Sequence, residues 1–136
     1  MVAATKARNT MRVEGVKRSL PVAAAIKLFA GTMVVADASN FANKISANNL
    51  RVVGVTPVDV DNSTGAAGAV TAELDVGVYG PFANSAASDL IERKDIGGNA
   101  WMVDDQTVAK TSGSSTRALA DLIHSVDADG VYIRIL

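Results

Sequence analysis

The clearest alternation of apolar and polar positions in the chain lies close to its end. Val131, Ile133 and Ile135 are separated by single polar or aromatic residues, the period of two expected of a strand with one buried face. The pair Asp129-Gly130 precedes them and suits a tight turn, because both central residues of such a turn can take positive φ. Since an apolar stretch, residues 117–126, comes before the pair, the pattern predicts a β-hairpin.

Residues 117–126 themselves fit two patterns. Leu119, Leu122, Ile123 and Val126 have the spacing of one helical face. The position of the segment just before a hairpin turn favours a strand. We predict a strand over at least residues 122–126.

Five further segments have patterns that predict strands, turns or irregular structure. Residues 69–79 alternate throughout, with one apolar face composed of Val70, Ala72, Leu74, Val76 and Val78. Residues 24–36 predict two short strands about Gly31. Residues 50–60 predict a strand that ends near Pro57, and Gly80-Pro81 is expected to end the strand at 69–79, since proline donates no backbone hydrogen bond. Residues 41–49 are expected to be irregular with at most one helical turn, and another turn is expected at 88–91.

These segments predict one mainly β domain, a small antiparallel β-barrel or sandwich, over residues 21–136. An extended N-terminal arm, residues 1–20, precedes it. A chain of 136 residues has the length of a single domain. Hydrophobic residues make up 49% of it and aromatic residues only 4%, and many of the former are alanines, which bury little area. A core of this kind is thin, so we expect subunit contacts to supplement it.

The charges divide the chain into a basic beginning and an acidic remainder. Residues 1–27 carry six basic side chains and one acidic one, a balance of +5, whereas the other residues carry 7 basic and 13 acidic side chains, a balance of −6. This asymmetry is typical of a basic arm on an acidic body. We predict that Arg8, Arg12, Lys17 and Arg18 bind a partner. A flexible tail is the alternative interpretation of residues 1–20.

The first residues also imitate a signal peptide. A basic start is followed by the apolar segment 22–26, but Lys27 interrupts that segment after five residues, short of the 7–15 that a signal core needs. No run approaches the 18 apolar residues of a membrane span. We therefore expect a soluble protein that is not exported and has no membrane partner.

The acidic pairs of the chain resemble catalytic or metal-binding groups only at first sight. Asp104-Asp105 would face opposite ways on a strand, so a turn is the better interpretation. Asp59 and Asp61, like Asp127 and Asp129, have the opening of a calcium loop without its glycine at position six and acid at position twelve. Turn chemistry explains all three pairs.

The remaining candidates for chemistry are equally incomplete. His124, Asp121 and Ser114 or Ser115 supply the residue types of a hydrolytic triad, but the chain has no Gly-x-Ser-x-Gly elbow. With one histidine and no cysteine, a zinc site is not expected. The few aromatic residues are dispersed and do not suggest a stacking platform for single-stranded nucleic acid. We predict no catalytic residue, no metal, no cofactor and no enzymatic activity.

Seven stretches of the chain form a further pattern when they are taken together. They are Leu28-Phe-Ala-Gly-Thr-Met-Val-Val-Ala-Asp37, Leu50-Arg-Val-Val-Gly-Val55, Asp61-Asn-Ser-Thr-Gly65, Val76-Gly-Val-Tyr79, Ala83-Asn-Ser85, Trp101-Met-Val-Asp-Asp-Gln-Thr-Val-Ala-Lys110 and Val126-Asp-Ala-Asp-Gly-Val131. The pattern resembles small head proteins of tailed bacteriophages, the minor capsid (decoration or cement) proteins of phages with Mu-like head genes. The resemblance covers residues 21–136.

The resemblance implies a compact β domain that binds the major capsid protein and stabilises the head of the virion. It also implies a symmetric homo-oligomer, for which a trimer is favoured. Two other functions stay open on the sequence. A nucleic-acid-binding domain would use the same basic arm, although the acidic body makes nucleic acid an unlikely partner. A small β-barrel enzyme or ligand carrier would need a deep pocket with convergent polar groups.

Overall fold

The computed structural model of the protein describes residues 3–7, 9 and 15–136. Arg8 and Arg12, two of the four predicted partner-binding residues, lie outside this part of the chain. The described residues form twelve strands and two short 3-10 segments, and the prediction of a mainly β protein is confirmed. Within them, no helix has the length and apolar composition needed to cross a membrane.

The strands follow one another with short connections. Their bounds are β1 Lys17–Pro21, β2 Ile26–Leu28, β3 Met33–Ala36, β4 Ala42–Asn43, β5 Arg51–Val55, β6 Val60–Asn62, β7 Thr71–Asp75, β8 Gly77–Asn84, β9 Asn99–Asp104, β10 Thr107–Ala109, β11 Ala118–Asp127 and β12 Gly130–Ile135. The 3-10 segments are Ala87–Asp89 and Arg93–Asp95.

Five strands from the second half of the domain close into a barrel. Hydrogen bonding runs from β11 to β12, β8, β10 and β9, and β9 pairs again with β11. Four of these contacts are antiparallel, and the one between β8 and β10 is parallel. Because the barrel is closed, each of the five strands has a hydrogen-bonded neighbour on both sides. Their backbone groups are thus paired within the barrel.

The other strands extend this barrel on one side. β5 pairs in parallel with β11 and antiparallel with β3 and β7, and β1 is the outermost strand, paired antiparallel with β7. β4 pairs with β3, and β2 and β6 form a separate two-stranded sheet. The predicted pair of strands about Gly31 is therefore confirmed as β2 and β3.

Two apolar cores share the walls formed by β3 and β5. Met33 and Val35 of β3 belong to one core together with buried residues of the barrel strands, whereas Val34 between them belongs to a second core. The second core is completed by residues from the N-terminal strands and from β6 and β7, among them Leu28 and Leu74. Since successive side chains of a strand point to opposite faces, one strand can contribute to both cores.

The predicted hairpin at Asp129-Gly130 is confirmed. β11 and β12 pair with Asp127 opposite Gly130. The Asp127 carboxylate accepts hydrogen bonds from the backbone N–H groups of Asp129 (2.8 Å) and Gly130 (3.2 Å). The alternate residues Val131, Ile133 and Ile135 are buried, as their spacing predicts.

The strand predicted over at least residues 122–126 is confirmed as part of β11, which begins earlier, at Ala118. Of the four residues with helical spacing only Ile123 is buried, whereas Leu119, Leu122 and Val126 are half-buried. β11 changes register at Asp121 and again before Ser125. The buried apolar positions are Ala118, Ala120 and Ile123. The buried apolar positions are two residues apart before the bulge at Asp121 and three residues apart across it. An extra residue in one strand displaces the alternation that follows it.

The prediction that Gly80-Pro81 ends a strand is wrong. β8 runs from Gly77 to Asn84 and contains both residues. The pairing with β12 changes register at this point, from Tyr79 opposite Ile133 to Phe82 opposite Val131. Such an irregularity tolerates proline, because a residue at a bulge does not need to donate to the ladder.

The single strand predicted over residues 69–79 is instead two strands. β7 ends at Asp75 and β8 begins at Gly77, whose φ is +136°. Ala72 and Leu74 are fully buried as expected, but Val78, beyond the break, is 44% exposed. Residues 41–49 contain β4 and no helical turn, whereas the turn expected at 88–91 corresponds to the 3-10 segment Ala87–Asp89.

The folded body begins before the predicted boundary at Pro21. All five residues of β1 pair with β7, from Lys17 opposite Asp75 to Pro21 opposite Thr71. Leu20 packs against the second core. The last four residues assigned to the arm thus belong to the sheet.

Candidate functional site

Lys17 and Arg18, the two predicted partner-binding residues that the structure describes, occupy successive positions of β1. Lys17 forms ion pairs with Asp75 (2.9 Å) and Glu73 (3.2 Å) of the neighbouring strand. Hydrogen bonds to Asp75 and then Glu73 raise the pKa of the Lys17 ammonium above its usual value. The charge of Lys17 is therefore already matched within the sheet.

Arg18 lies on the other face of β1 from Lys17. It is paired with Leu74, a residue of the second core, and its side chain is half-buried. Successive residues of a strand point to opposite faces, so the two basic side chains do not form one patch. Binding of a partner by Arg8, Arg12, Lys17 and Arg18 stays a prediction.

The structure does not assemble the candidate residues into a hydrolytic triad. Asp121 is 3% exposed, and its carboxylate accepts hydrogen bonds from the Arg51 guanidinium and the Leu136 backbone N–H, both at 3.0 Å. His124 is exposed. Ser114 and Ser115 lie in the loop before β11, both with positive φ. The buried Asp121 carboxylate thus links β11 to Arg51 of β5 and to Leu136, the residue that follows β12.

Each acidic pair lies at the beginning or the end of a strand, so the prediction of turns is only partly correct. Asp104 is the last residue of β9 and Asp105 lies in the turn to β10. The Asp104 carboxylate accepts a hydrogen bond from the Gln106 N–H at 3.0 Å. Asp61 accepts one from the Ser63 N–H at 2.9 Å. Across the described residues, no group of three or more histidine or acidic side chains could hold a metal ion.

A surface that the sequence did not indicate lies around Phe29. The Phe29 side chain is 46% exposed. The ammonium of Lys27 lies 5.2 Å from the centre of its ring and that of Lys44 lies 5.5 Å away. Both distances are within the range of cation–π attraction. We call Phe29 with these two lysines the Phe29 cluster.

Backbone hydrogen bonds hold the turn that presents Phe29. The Ala30 N–H donates to the Asp59 carboxylate at 2.8 Å, and the Gly31 N–H donates to the Thr56 carbonyl at 2.7 Å. The Thr32 hydroxyl donates to the Phe29 carbonyl at 2.7 Å. The phenyl ring is therefore displayed on a fixed segment.

A groove of about 360 Å³ lies next to the Phe29 cluster. Its lining residues are Lys44, Ile45, Ser46, Val103, Asp104 and Asp105. Ile45 is 60% and Val103 38% exposed. Two segments thus form the walls of the groove: residues 44–46 contribute a lysine and an exposed isoleucine, and residues 103–105 contribute an exposed valine and two aspartates.

Both walls of the groove are anchored to the barrel. The Ser46 hydroxyl donates to the Met102 carbonyl of β9 and accepts from the Ala118 N–H of β11 at 2.8 Å. On the other wall, the Asp105 carbonyl accepts from the Met33 N–H at 2.8 Å. A groove with fixed walls can bind a side chain without first being ordered.

Neither lysine of the Phe29 cluster forms an ion pair with a described residue, and neither do Asp104 and Asp105. Charges of both signs thus stand beside exposed apolar side chains. This arrangement is suited to binding a protein surface. Lys27 and Phe29 lie on either side of Leu28, so a strand pattern places them on one face. The approach of Lys44, which follows β4, depends instead on the pairing of β4 with β3.

Comparisons of the chain with protein-family models, curated proteins and solved structures found no match. Function is accordingly inferred from the residues and surfaces described above.

Proposed function

We propose that the protein is a structural component of a bacteriophage virion, a minor capsid (decoration or cement) protein. In this function it binds the major capsid protein of the shell and stabilises the head. It acts as a homo-oligomer, with a trimer favoured, and has no catalytic activity. Binding energy contributed by the shell would supplement the thin core, because a partner that binds only the folded state stabilises it by mass action.

The stretches that resemble phage head proteins support this proposal by their position. Residues 101–110 form β9, β10 and the turn between them, and residues 126–131 form the β11–β12 hairpin. Residues 28–37 and 50–55 contribute β3 and β5, which line both cores. The resemblance therefore covers the framework of the domain, and it also includes Phe29 and three residues that line the groove, Val103, Asp104 and Asp105.

The observation that carries the proposal is the way the basic arm joins the body. Residue 15 leads into β1, which is the outermost strand of the sheet. The residues that precede Gly15 are therefore attached at the margin of the sheet. The positive charge of the arm would favour contact with acidic surface on the shell or on a neighbouring subunit.

The test is co-sedimentation of the protein with phage heads that lack it. The full chain is compared with a chain beginning at Gly15, which keeps β1 intact, and with a variant carrying alanine at Arg8, Arg12, Lys17 and Arg18. A matched control replaces Arg93 and Lys94, two exposed basic residues of a 3-10 segment, by alanine. We expect saturable binding of the full chain and of the control, and weaker binding of the arm variants.

Two results would contradict the proposal. One is the absence of saturable binding to heads at low and at high salt. The other is retention of the protein on naked DNA with an affinity that falls steeply as salt rises, which is the behaviour of a nucleic-acid-binding arm. Unchanged head binding by the alanine variant would remove the arm from the proposal.

A further inference from the structure

We propose that the Phe29 cluster and the adjacent groove form a self-association surface, in which Phe29 of one copy of the chain enters the groove of a second copy. This inference concerns the homo-oligomer of the proposed function and names its contact. It requires no capsid, so its test uses the purified protein alone. Its failure would leave binding to phage heads to be decided by the experiment above.

The shape of the two features supports this contact. Phe29 is an exposed aromatic side chain on a turn held by backbone hydrogen bonds. The groove has a volume of about 360 Å³, whereas a cavity of about 150 Å³ suffices to bind benzene. The ring would pack on Ile45 and Val103 of the second copy. Rigid aromatic side chains that fill a partner's pocket commonly dominate the binding energy of interfaces.

Charge complementarity supports a copy of this chain as the occupant. Insertion of Phe29 would bring Lys27 and Lys44, which flank its ring, towards the wall that carries Asp104 and Asp105 of the second copy. Within the described residues none of these four side chains forms an ion pair, and only Lys27 has an acidic residue, Asp61, opposite it in the β2–β6 sheet. The surface therefore carries a basic group, the two lysines, and an acidic group, the two aspartates, that are complementary between two copies of the chain. An acidic or a basic partner of another kind would match only one half and would be repelled by the other.

The first measurement is sedimentation velocity of the full chain over a wide range of concentration. We expect reversible self-association that Phe29→Ala weakens, with a dissociation constant increased about tenfold or more. Val78→Ala is the matched control, since Val78 is also exposed, at 44%, and lies in β8. We expect it to leave association unchanged.

The decisive experiment reverses the charges on each half of the contact. One variant carries Lys27→Glu and Lys44→Glu, and the other carries Asp104→Lys and Asp105→Lys. Each alone would place like charges opposite each other and should associate at least tenfold more weakly than the original chain. An equal mixture of the two should form mixed assemblies, because each variant then supplies the charge that the other needs. A chain with all four changes should recover self-association.

Recovery of association in the mixture would show that each variant has lost the contact and not its fold, because a misfolded variant would not be rescued by its counterpart. Reversing Arg93 and Lys94 to glutamate controls for the change in net charge. The proposal is overturned if the original chain stays monomeric up to about 1 mM, a concentration at which even a weak complex would be populated. It is equally overturned if the chain associates but Phe29→Ala and both charge-reversed variants associate as the original does.

Discussion

Among single residues, Asp121 is the one whose environment is hardest to replace. It is a buried carboxylate at a bulge, with φ of +82°, and it accepts hydrogen bonds from Arg51 and from the backbone of Leu136. Arg51 is 52% exposed, so water can replace its contact with the carboxylate. The Leu136 N–H also donates to Asp121, so loss of the carboxylate removes a second hydrogen bond, and the buried carboxylate itself would be costly to leave without partners.

We predict that Asp121→Ala lowers the free energy of unfolding by about 2–3 kcal/mol, because it removes both hydrogen bonds and places alanine at positive φ. Asp121→Asn keeps an acceptor and tolerates this backbone conformation, so about 1 kcal/mol is expected. Arg51→Gln is the control for the exposed partner and should cost less than either. Urea unfolding measures all three, and an equal effect of Arg51→Gln and Asp121→Ala would contradict the assignment.

Gly130 is constrained by the strand beside it as well as by its own turn. Its φ is +144°, and a Cβ at this position would lie within van der Waals overlap of the Phe82 carbonyl oxygen. Gly31 also has positive φ, +81°, but a Cβ there would meet nothing within 4 Å. Substitution of Gly31 therefore tests backbone strain alone, whereas substitution of Gly130 tests backbone strain together with a steric clash.

We predict that Gly31→Ala costs about 1 kcal/mol, the strain of alanine at positive φ. Gly130→Ala should cost clearly more, about 3 kcal/mol, since β8 and β12 must also move apart. The measurement is the midpoint of urea unfolding for both variants. Equal losses would mean that the close approach of Gly130 to Phe82 has no energetic consequence.

At the scale of elements, the two 3-10 segments are tied to the loop before β11. Asp89 accepts hydrogen bonds from the Thr111 hydroxyl and the Arg117 guanidinium, and Asp95 forms an ion pair with Lys110 at 3.4 Å. The Thr111 hydroxyl bond, followed by Arg117, keeps the pKa of Asp89 below its ordinary value. The backbone N–H of Glu92 is the main cause of the lowered pKa of Asp95.

A carboxylate whose pKa is lower in the folded state stabilises the fold above its unfolded pKa of about 3.9, and this stabilisation is lost as pH falls towards the folded value. We predict that Asp89→Asn destabilises the protein at neutral pH and that its difference from the original chain shrinks below about pH 4. Thr111→Val should raise the pKa of Asp89. Urea unfolding at several pH values and NMR titration test these points, and a difference independent of pH would contradict the first.

The elements also show how far the sequence predicts this fold. The hairpin of β11 and β12 depends on local turn chemistry, so Asp129-Gly130 was sufficient to predict it. Closure of the barrel depends on contacts between β8 and β10 and between β9 and β11, which no local pattern specifies. The Phe29 cluster depends on the approach of Lys44 to Lys27 across the fold, and for this reason the aromatic residues looked dispersed along the chain.

At the scale of the whole molecule, the sheet and the barrel form one body that includes β1. β3 and β5 contribute to both cores, so neither core can be lost while the other stays intact. β1 covers the edge of β7 and adds Leu20 to the second core. The structural boundary between arm and body therefore lies before Lys17.

This boundary predicts different results for two shortened chains. A chain beginning at Gly15 keeps all twelve strands and should unfold within about 0.5 kcal/mol of the full chain. A chain beginning at Val22 loses β1 and the packing of Leu20, and should be less stable by about 2 kcal/mol or more. Thermal and urea unfolding compare them. Equal stability of the two would show that β1 does not contribute to the body.

The order of strands in the barrel has a consequence for the synthesis of the protein. β12, residues 130–135, lies between β8 and β11. Until the ribosome has released these six residues, the edges of β8 and β11 that flank β12 have no partner, and the apolar residues of five strands cannot be enclosed. The barrel must therefore close late, after translation of its other four strands. Unpaired edges expose a growing chain to aggregation, so the yield of folded protein should depend on how fast this last strand is added.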